Sequence, residues 1–323
     1  MRASQLHIVT YREDPSDAEV VSHRLMARAG LIFKLGSGLY TYGPMLWRSI
    51  RKASSIIRRE LDGVGCLELQ MPIMQEQDLW EQSGRWEAYQ AAGVMLSTTD
   101  RKGTTFGLAP TAEEVVTAYM RATCKSYKQL PVTLYQIHTK FRDELRPRFG
   151  LMRVKEFLMK DAYSFDKDQE SLDATYEEIR LAYHRIFASM GLEAFGVDAD
   201  PGDIGGSGSM EFMIPAEVGE DTILFEESSG YAANVEKATS RCPAPEGTDE
   251  EKRALRIEDT PNVRSCEELH RFFPEVAPSR MVKTVLFMAV HLEEEVPWAA
   301  LIRGDQEINE IKLKNHTGGL TLR

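Results

Sequence analysis

No stretch of this 323-residue chain is apolar for long enough to cross a membrane as a helix, and Met1 to Leu6 lack the apolar core of a secretory leader, so a cytoplasmic protein is expected. Cysteine is scarce. Cys66, Cys124, Cys242 and Cys266 are dispersed without Cys-Xaa-Xaa-Cys spacing, which reads as reduced packing residues and not as a disulfide framework or a zinc site. Positive charge is in the minority, with 39 Lys and Arg against 50 Asp and Glu and a formal net charge of −11. That balance argues against a strongly basic nucleic-acid-binding domain, although a local patch can still bind RNA. Internal repeats and low-complexity tracts are missing, and a 42% hydrophobic content is enough for one large or two ordinary domains. The run Gly205-Gly206-Ser207-Gly208-Ser209 lacks the Lys-Ser/Thr ending of a phosphate loop and does not fit the dinucleotide fingerprint.

Against this acidic background one segment is basic. Between Lys140 and Lys160 there are seven Lys or Arg and three acids, which makes a candidate anion site. Thr133–Phe141 and Val154–Phe165 are rich in β-branched and aromatic residues, and Pro147 and Gly150 punctuate the segment between them, so two antiparallel strands joined by a loop are predicted. Strand periodicity then places Arg142 with Glu144 at one end of the hairpin, and Arg153, Lys155 and Phe157 on one face of the return strand. Such a group can be a solvated hairpin with surface ion pairs. It also has the parts a nucleoside phosphate needs: guanidinium for phosphate, carboxylate for an exocyclic amine, and a ring for the base.

Upstream, Thr111 and Glu114 have capping-box spacing at the start of an apolar-periodic stretch, Val115 to Met120, while Glu113 is not needed by that box. A second capping box, Ser16 to Glu19, introduces a helical stretch from Val20 to Ile32 with Gly30 as a break. Pro44 suits a first helical position, and Leu46, Ile50, Ala53, Ile57 and Leu61 share one face of a helix closed by Asp62-Gly63; a strand over Cys66–Gln70 follows. Trp80 and Trp86 bracket a Gln-Ser-Gly turn and read as packing residues. Leu172, Tyr176, Ile179, Tyr183, Ile186 and Met190 mark another helix, stopped by Gly191, with His184 a surface or partly packed residue.

Phe141-Arg142-Asp143-Glu144 followed by Arg153-Xaa-Xaa-Xaa-Phe157 resembles the second signature motif of class II aminoacyl-tRNA synthetases. The longer string FRDELRPRFGLMRVKEFLMKDAYSF closely resembles the bacterial prolyl-tRNA synthetases. The resemblance implies ATP-dependent adenylation of proline, with Mg²⁺ accompanying ATP and no metal cage built by the protein, then transfer to tRNA(Pro). Arg142 would be the catalytic residue, holding the α-phosphate and bordering the proline site; Glu144 would meet the adenine amine, Phe157 would stack under the base, and Arg153 would assist at the phosphates. Thr111 and Glu113 match the positions that bind the substrate imino group, whose two donors a hydroxyl and a carboxylate satisfy. The segments Arg28-Ala29-Gly30 and Ser37-Gly38-Leu39-Tyr40 also match the family, with no chemical role attached. The helix from Pro44, the strand and Met71-Pro72 resemble the first class II motif, which implies a homodimer.

Ser240–Asp259 has the composition of a linker. Beyond it, Cys266–Phe273 reads as a short helix and Val282–Val290 and Val296–Ile302 as strands. Thr260-Pro261-Asn262-Val263, Val282-Lys283-Thr284 and Arg303 to Asn309 resemble the start of the editing insertion of bacterial prolyl-tRNA synthetases, with Lys283 as the editing candidate and Gln306 a departure from the family's pattern. Editing has a physical motive: a pocket shaped for proline cannot exclude alanine sterically, and each missing methylene gives up only about 1–3 kcal/mol. The expected fold is α/β of the α+β type, a mainly antiparallel sheet flanked by helices. Its expected division is 1–239 catalytic, 240–259 linker and 260–323 partial editing domain. The third class II motif, which supplies an arginine over the other face of adenine, has no counterpart in these residues. Little or no proline-dependent exchange by this chain alone is therefore expected, and the alternative to a ligase is a non-catalytic class II paralogue or nucleotide-binding module.

Overall fold

The computed structural model describes residues 2, 5–200, 208–239, 256–291, 294–319 and 321–322, and its contacts divide the chain after Ala194 into two units. In the first, α1 (Val21–Arg28) leads into the hairpin β1 (Ile32–Gly36) and β2 (Leu39–Tyr42). The capping box expected at Ser16–Glu19 does not cap α1, which starts after Val20 without a side-chain cap; Asp17 pairs with Lys34. The helix also stops short of Ile32, which opens β1.

Pro44 occupies the first position of α2 (Pro44–Gly63), where its missing N–H sacrifices no helical bond. The helix ends at Gly63, the expected stop, and the chain turns away at Gly65, at φ +81°. Short elements follow: β3 (Leu67–Glu68), β4 (Met74–Glu76), α3 (Gln77–Gln82), α4 (Trp86–Ala91), β5 (Ser97–Thr99), β6 (Thr105–Leu108) and α5 (Glu113–Thr123). Then come the long strands β7 (Val132–Phe141) and β8 (Glu156–Phe165), antiparallel from Val132 opposite Phe165 to Phe141 opposite Glu156, and the helix α6 (Gln169–Ser189). One sheet has the order β3-β7-β8, with β3 parallel to β7; a second, antiparallel throughout, has the order β4-β6-β5.

The alternation of side chains gives β7 two faces. Tyr135 and Ile137 point to α2 and α6, where they pack with Leu61, Cys66, Ile179 and Ala182; Leu61 and Tyr135 are fully buried. Each such side chain contributes about 1.5–3 kcal/mol by leaving water. Leu134 points the other way, onto Met71, Ala112, Val116 and Met120 of the α5 side. Further along that second face apolar residues give way to Gln136, His138 and Lys140, opposite Asp161, Met159 and Phe157 of β8.

In the second unit, β9 (Phe195–Asp198), β10 (Met210–Met213), β11 (Ile223–Glu226) and β12 (Tyr231–Asn234) form a sheet of order β10-β9-β12-β11. The helix α7 (Cys266–Phe272) starts at a capping box of Ser265 and Glu268. The strands β13 (Val282–Val290) and β14 (Glu295–Arg303) pair antiparallel, and after α8 (Glu310–Thr317) the short β15 (Thr321–Leu322) joins the free side of β13. Met210, just past the glycine run, opens β10, whereas Gly205, Gly206 and Ser207 lie outside the described residues, as do Cys242 and most of the expected linker. Cys66, Cys124 and Cys266 are free thiols. Among the described residues no helix is long and apolar enough to cross a membrane. The molecule is thus a mixed α/β fold of mainly antiparallel sheets with helices against them.

Candidate active site

The loop joining β7 to β8 is fixed by backbone bonds to distant parts of the first unit. Phe141 N–H donates to Ala109 O at 3.1 Å, Arg142 N–H to Lys155 O at 3.0 Å, Asp143 N–H to Val94 O at 2.9 Å and Lys155 N–H to Gly38 O at 2.9 Å. These bonds explain a difference from the sequence reading: Arg153 and Lys155 precede β8, so they do not share a strand face with Phe157, which lies inside it. Gly38 has φ +72°, and a Cβ there would come within 3.0 Å of Lys155 N, so glycine is required where the β1–β2 turn meets this loop. At the tip, Phe149 and Gly150 are both left-handed, at φ 59° and 66°.

At the foot of the hairpin the predicted arginine and aromatic meet, while the predicted carboxylate pairs within the loop. The Arg142 guanidinium carbon lies 5.5 Å from the centre of the Phe157 ring, a cation–π distance. Glu144 Oε2 accepts from Arg153 Nε at 2.8 Å, and Glu144 Oε1 accepts from the backbone N–H of Arg146 at 3.1 Å. The Arg153 bond, helped by that backbone donor, holds the Glu144 carboxyl below its ordinary range. Lys155 Nζ pairs with Asp143 at 3.0 Å.

The segment Ala109–Glu113 is tied to the β7–β8 pair at two levels, by the Ala109–Phe141 bond at the foot of the hairpin and by a second bond farther along the sheet, at Tyr163 opposite Leu134. Ala112 N–H donates to the Tyr163 hydroxyl at 3.0 Å, and that hydroxyl donates to Asp161 Oδ2 at 2.7 Å. Asp161 also accepts from Lys140 Nζ at 2.9 Å and from Gln136 Nε2 at 2.9 Å. Lys140 is 1% exposed, and this pairing is what makes a lysine tolerable in the core. Burial, then the nearby Glu113 and Asp161, push the Tyr163 hydroxyl upward, so it stays a neutral donor. His138, on the same face, lies 3.0 Å from Gln70 Nε2; burial and then Lys140 hold it below the ordinary histidine value.

Thr111 and Glu114 do not form the predicted capping box. The cap residue of α5 is Ala112 without a side-chain bond, and Glu114 instead turns inward to Arg85 Nη1 at 2.9 Å, with Ser83 Oγ donating at 2.9 Å. Thr111 is buried, and its hydroxyl has no hydrogen-bond partner among the described residues. Glu113 keeps a more exposed carboxylate, 3.4 Å from the same Arg85 nitrogen. Arg85, Lys140, Asp161 and Tyr163 were not singled out from the sequence. The signal available was Gln136, His138 and Lys140 at every second position of a strand, a polar stripe where a core face was due. Trp80 and Trp86 do pack, around Tyr89, Met95 and Val94.

In the second unit, Lys283 stands on β13 opposite Ile302. Close by in the register, Arg303 holds Asp305 at 2.7 Å and below its usual range, and Lys283 adds to that field.

Residues 96–275 match the family of the tRNA synthetase class II core domain (G, H, P, S and T), and residues 260–323 match the aminoacyl-tRNA editing domain family. Among curated relatives, the proline--tRNA ligase of Gloeothece citriformis is 49% identical over 317 residues, covering 98% of this chain and 52% of that protein. The proline--tRNA ligase of Synechococcus elongatus is 51% identical over 320 residues with the same shares, 98% and 52%. The chain therefore spans about half the length of the curated relatives it matches. Among solved structures, the prolyl-tRNA synthetase of Cryptosporidium parvum complexed with L-proline and AMP aligns with a TM-score of 0.51 at 15% identity, over 58% of this chain and 39% of that one, a likeness of fold.

Proposed function

The chain belongs to the class II core family of tRNA synthetases, and from that membership we propose that its first unit carries a proline-activating site of a proline–tRNA ligase. The observation that supports the reading is the foot of the hairpin: Arg142 lies over Phe157, the Glu144–Arg153 pair is in the adjoining loop, and Ala109, from which the chain runs on to Thr111 and Glu113, is bonded to Phe141. Arg142 is the cation for the α-phosphate, Phe157 the platform for adenine, Glu144 the acceptor for the adenine amine, and Arg153 both the clamp on Glu144 and a phosphate contact. Thr111 and Glu113 take the two donors of the proline secondary ammonium. The proline carboxylate attacks the α-phosphorus in line and pyrophosphate leaves, so positioning and charge stabilisation carry the step.

No three carboxylates, histidines or cysteines converge among the described residues in a way that would hold a metal. Mg²⁺ enters this reading as a companion of the ATP phosphates, and no step is assigned to it. The division into a catalytic part (1–239), a linker (240–259) and an editing part (260–323) follows from composition and resemblance, and the editing-family match supports its last section. In that part Lys283 is the residue proposed to act on alanyl-tRNA(Pro). A homodimer in the cytoplasm that receives tRNA(Pro) completes the proposal.

The test is binding of a non-hydrolysable prolyl-adenylate analogue, measured by titration calorimetry on the chain and on Arg142→Ala. Saturable binding that the variant loses by about a hundredfold or more is expected, as for removal of a cation aimed at phosphate. Equal binding by the two proteins would overturn the role of Arg142.

A further inference from the structure

Arg85 is used by no step above, yet it is among the most constrained cations in the first unit. It follows the turn between α3 and α4, with its guanidinium carbon 4.6 Å from the Tyr89 ring centre and 5.3 Å from that of Trp80. One terminal nitrogen bonds the Tyr89 hydroxyl, and the other meets Glu114 at 2.9 Å and Glu113 at 3.4 Å. The two glutamates differ in setting. The Glu114 side chain is 2% exposed and that of Glu113 is 33% exposed.

We propose that Arg85 is a positioning residue for the ammonium-binding carboxylate Glu113, with Glu114 as its permanent buried counter-ion; this rests on the reading of Glu113 given above. A carboxylate in the first turn of a helix is free to sample several rotamers. A planar guanidinium stacked on two rings cannot follow it, so the shared nitrogen fixes where Glu113 points. The charges add a second consequence. One guanidinium faces two carboxylates in a part-buried place, so the cluster carries a negative charge that a monocationic ligand balances and a neutral isostere does not. The site is therefore built for a ring bearing a protonated secondary amine, and Arg85 tunes that choice from behind the first contact. Lysine in its place would keep the charge but lose the stack and the planar fork.

The experiment compares proline with tetrahydrofuran-2-carboxylate, which has the same ring with oxygen in place of the amine, by calorimetry on the full chain, Arg85→Lys and Arg85→Met. Wild type is expected to prefer proline by about a hundredfold or more, since a site built to pair with a donor rejects the analogue lacking it. Arg85→Lys is expected to keep its fold by circular dichroism, to lower that preference by about tenfold and to leave ATP affinity within about twofold, because displacement of a contact group is felt selectively. A merely structural arginine would weaken both ligands alike or lower only the melting temperature. Unchanged preference in Arg85→Lys overturns the positioning role while leaving Glu113 in place. No preference in wild type overturns the reading of Glu113 and the proposal with it. Should Arg85→Met fail to fold, the lysine variant decides.

Discussion

His138 sits on the site face of β7, beside Lys140 and bonded to Gln70, and its value is pushed below the ordinary one by burial and by that lysine. Unfolded, the ring titrates near its ordinary pKa of about 6.5, so below that pH the unfolded chain binds a proton that the folded one refuses. Stability contributed here is fully present above about pH 7 and falls as the solution is acidified toward the lowered folded value. His138→Gln removes the titration. Between about pH 7 and 5 the melting temperature of wild type should drop more than that of the variant; parallel slopes would refute the link. At this scale sequence reading had mixed success for a physical reason. The Arg142–Phe157 contact is legible because it lies within one hairpin, whereas the inward turn of Glu114 depends on Arg85, twenty-nine positions earlier by numbering. Local spacing offers Thr111 as its partner, and a part-buried guanidinium wins.

Among the elements, α2, β7, β8, α6, β13 and β14 are legible because each is long and carries many apolar residues, and the short α7 because it follows Ser265 and Glu268 at capping-box spacing. The strands β4, β5 and β6 are three or four residues long and give no alternation to read; they exist because they pair with one another. Helix α8 has no buried residue and so shows no apolar stripe. β8 starts at Glu156 and not at the predicted Val154, because Val154 is buried in the loop, where an apolar residue looks like strand. Packing of α2 and α6 on the rear of β7 sets how rigidly the site face is held. Leu61→Ala should cost about 2–5 kcal/mol in urea unfolding, as for a fully buried leucine. A loss under about 1 kcal/mol would mean that the cluster collapses around the gap.

For the whole molecule the salient quantity is charge. A chain with a formal net charge of −11 repels RNA at long range, so any tRNA contact must be made by a local patch. Arg146 is exposed in the basic loop, and it is its backbone N–H that donates to Glu144. Arg146→Ala is expected to leave adenylate-analogue binding unchanged while lowering the dependence of tRNA affinity on salt by about one unit of log–log slope. An identical slope in filter-binding titrations would remove the loop from the RNA contact.

The seats that hold the arginine loop have a direction in time. Gly38, Val94 and Ala109 all precede it in the sequence, and each accepts a backbone hydrogen from the loop or its flanks. During synthesis, at roughly 5–20 residues per second, those carbonyls leave the ribosome seconds before Arg142 does. The arginine loop is thus made after the three carbonyls that seat it, and it arrives where its acceptors are already available.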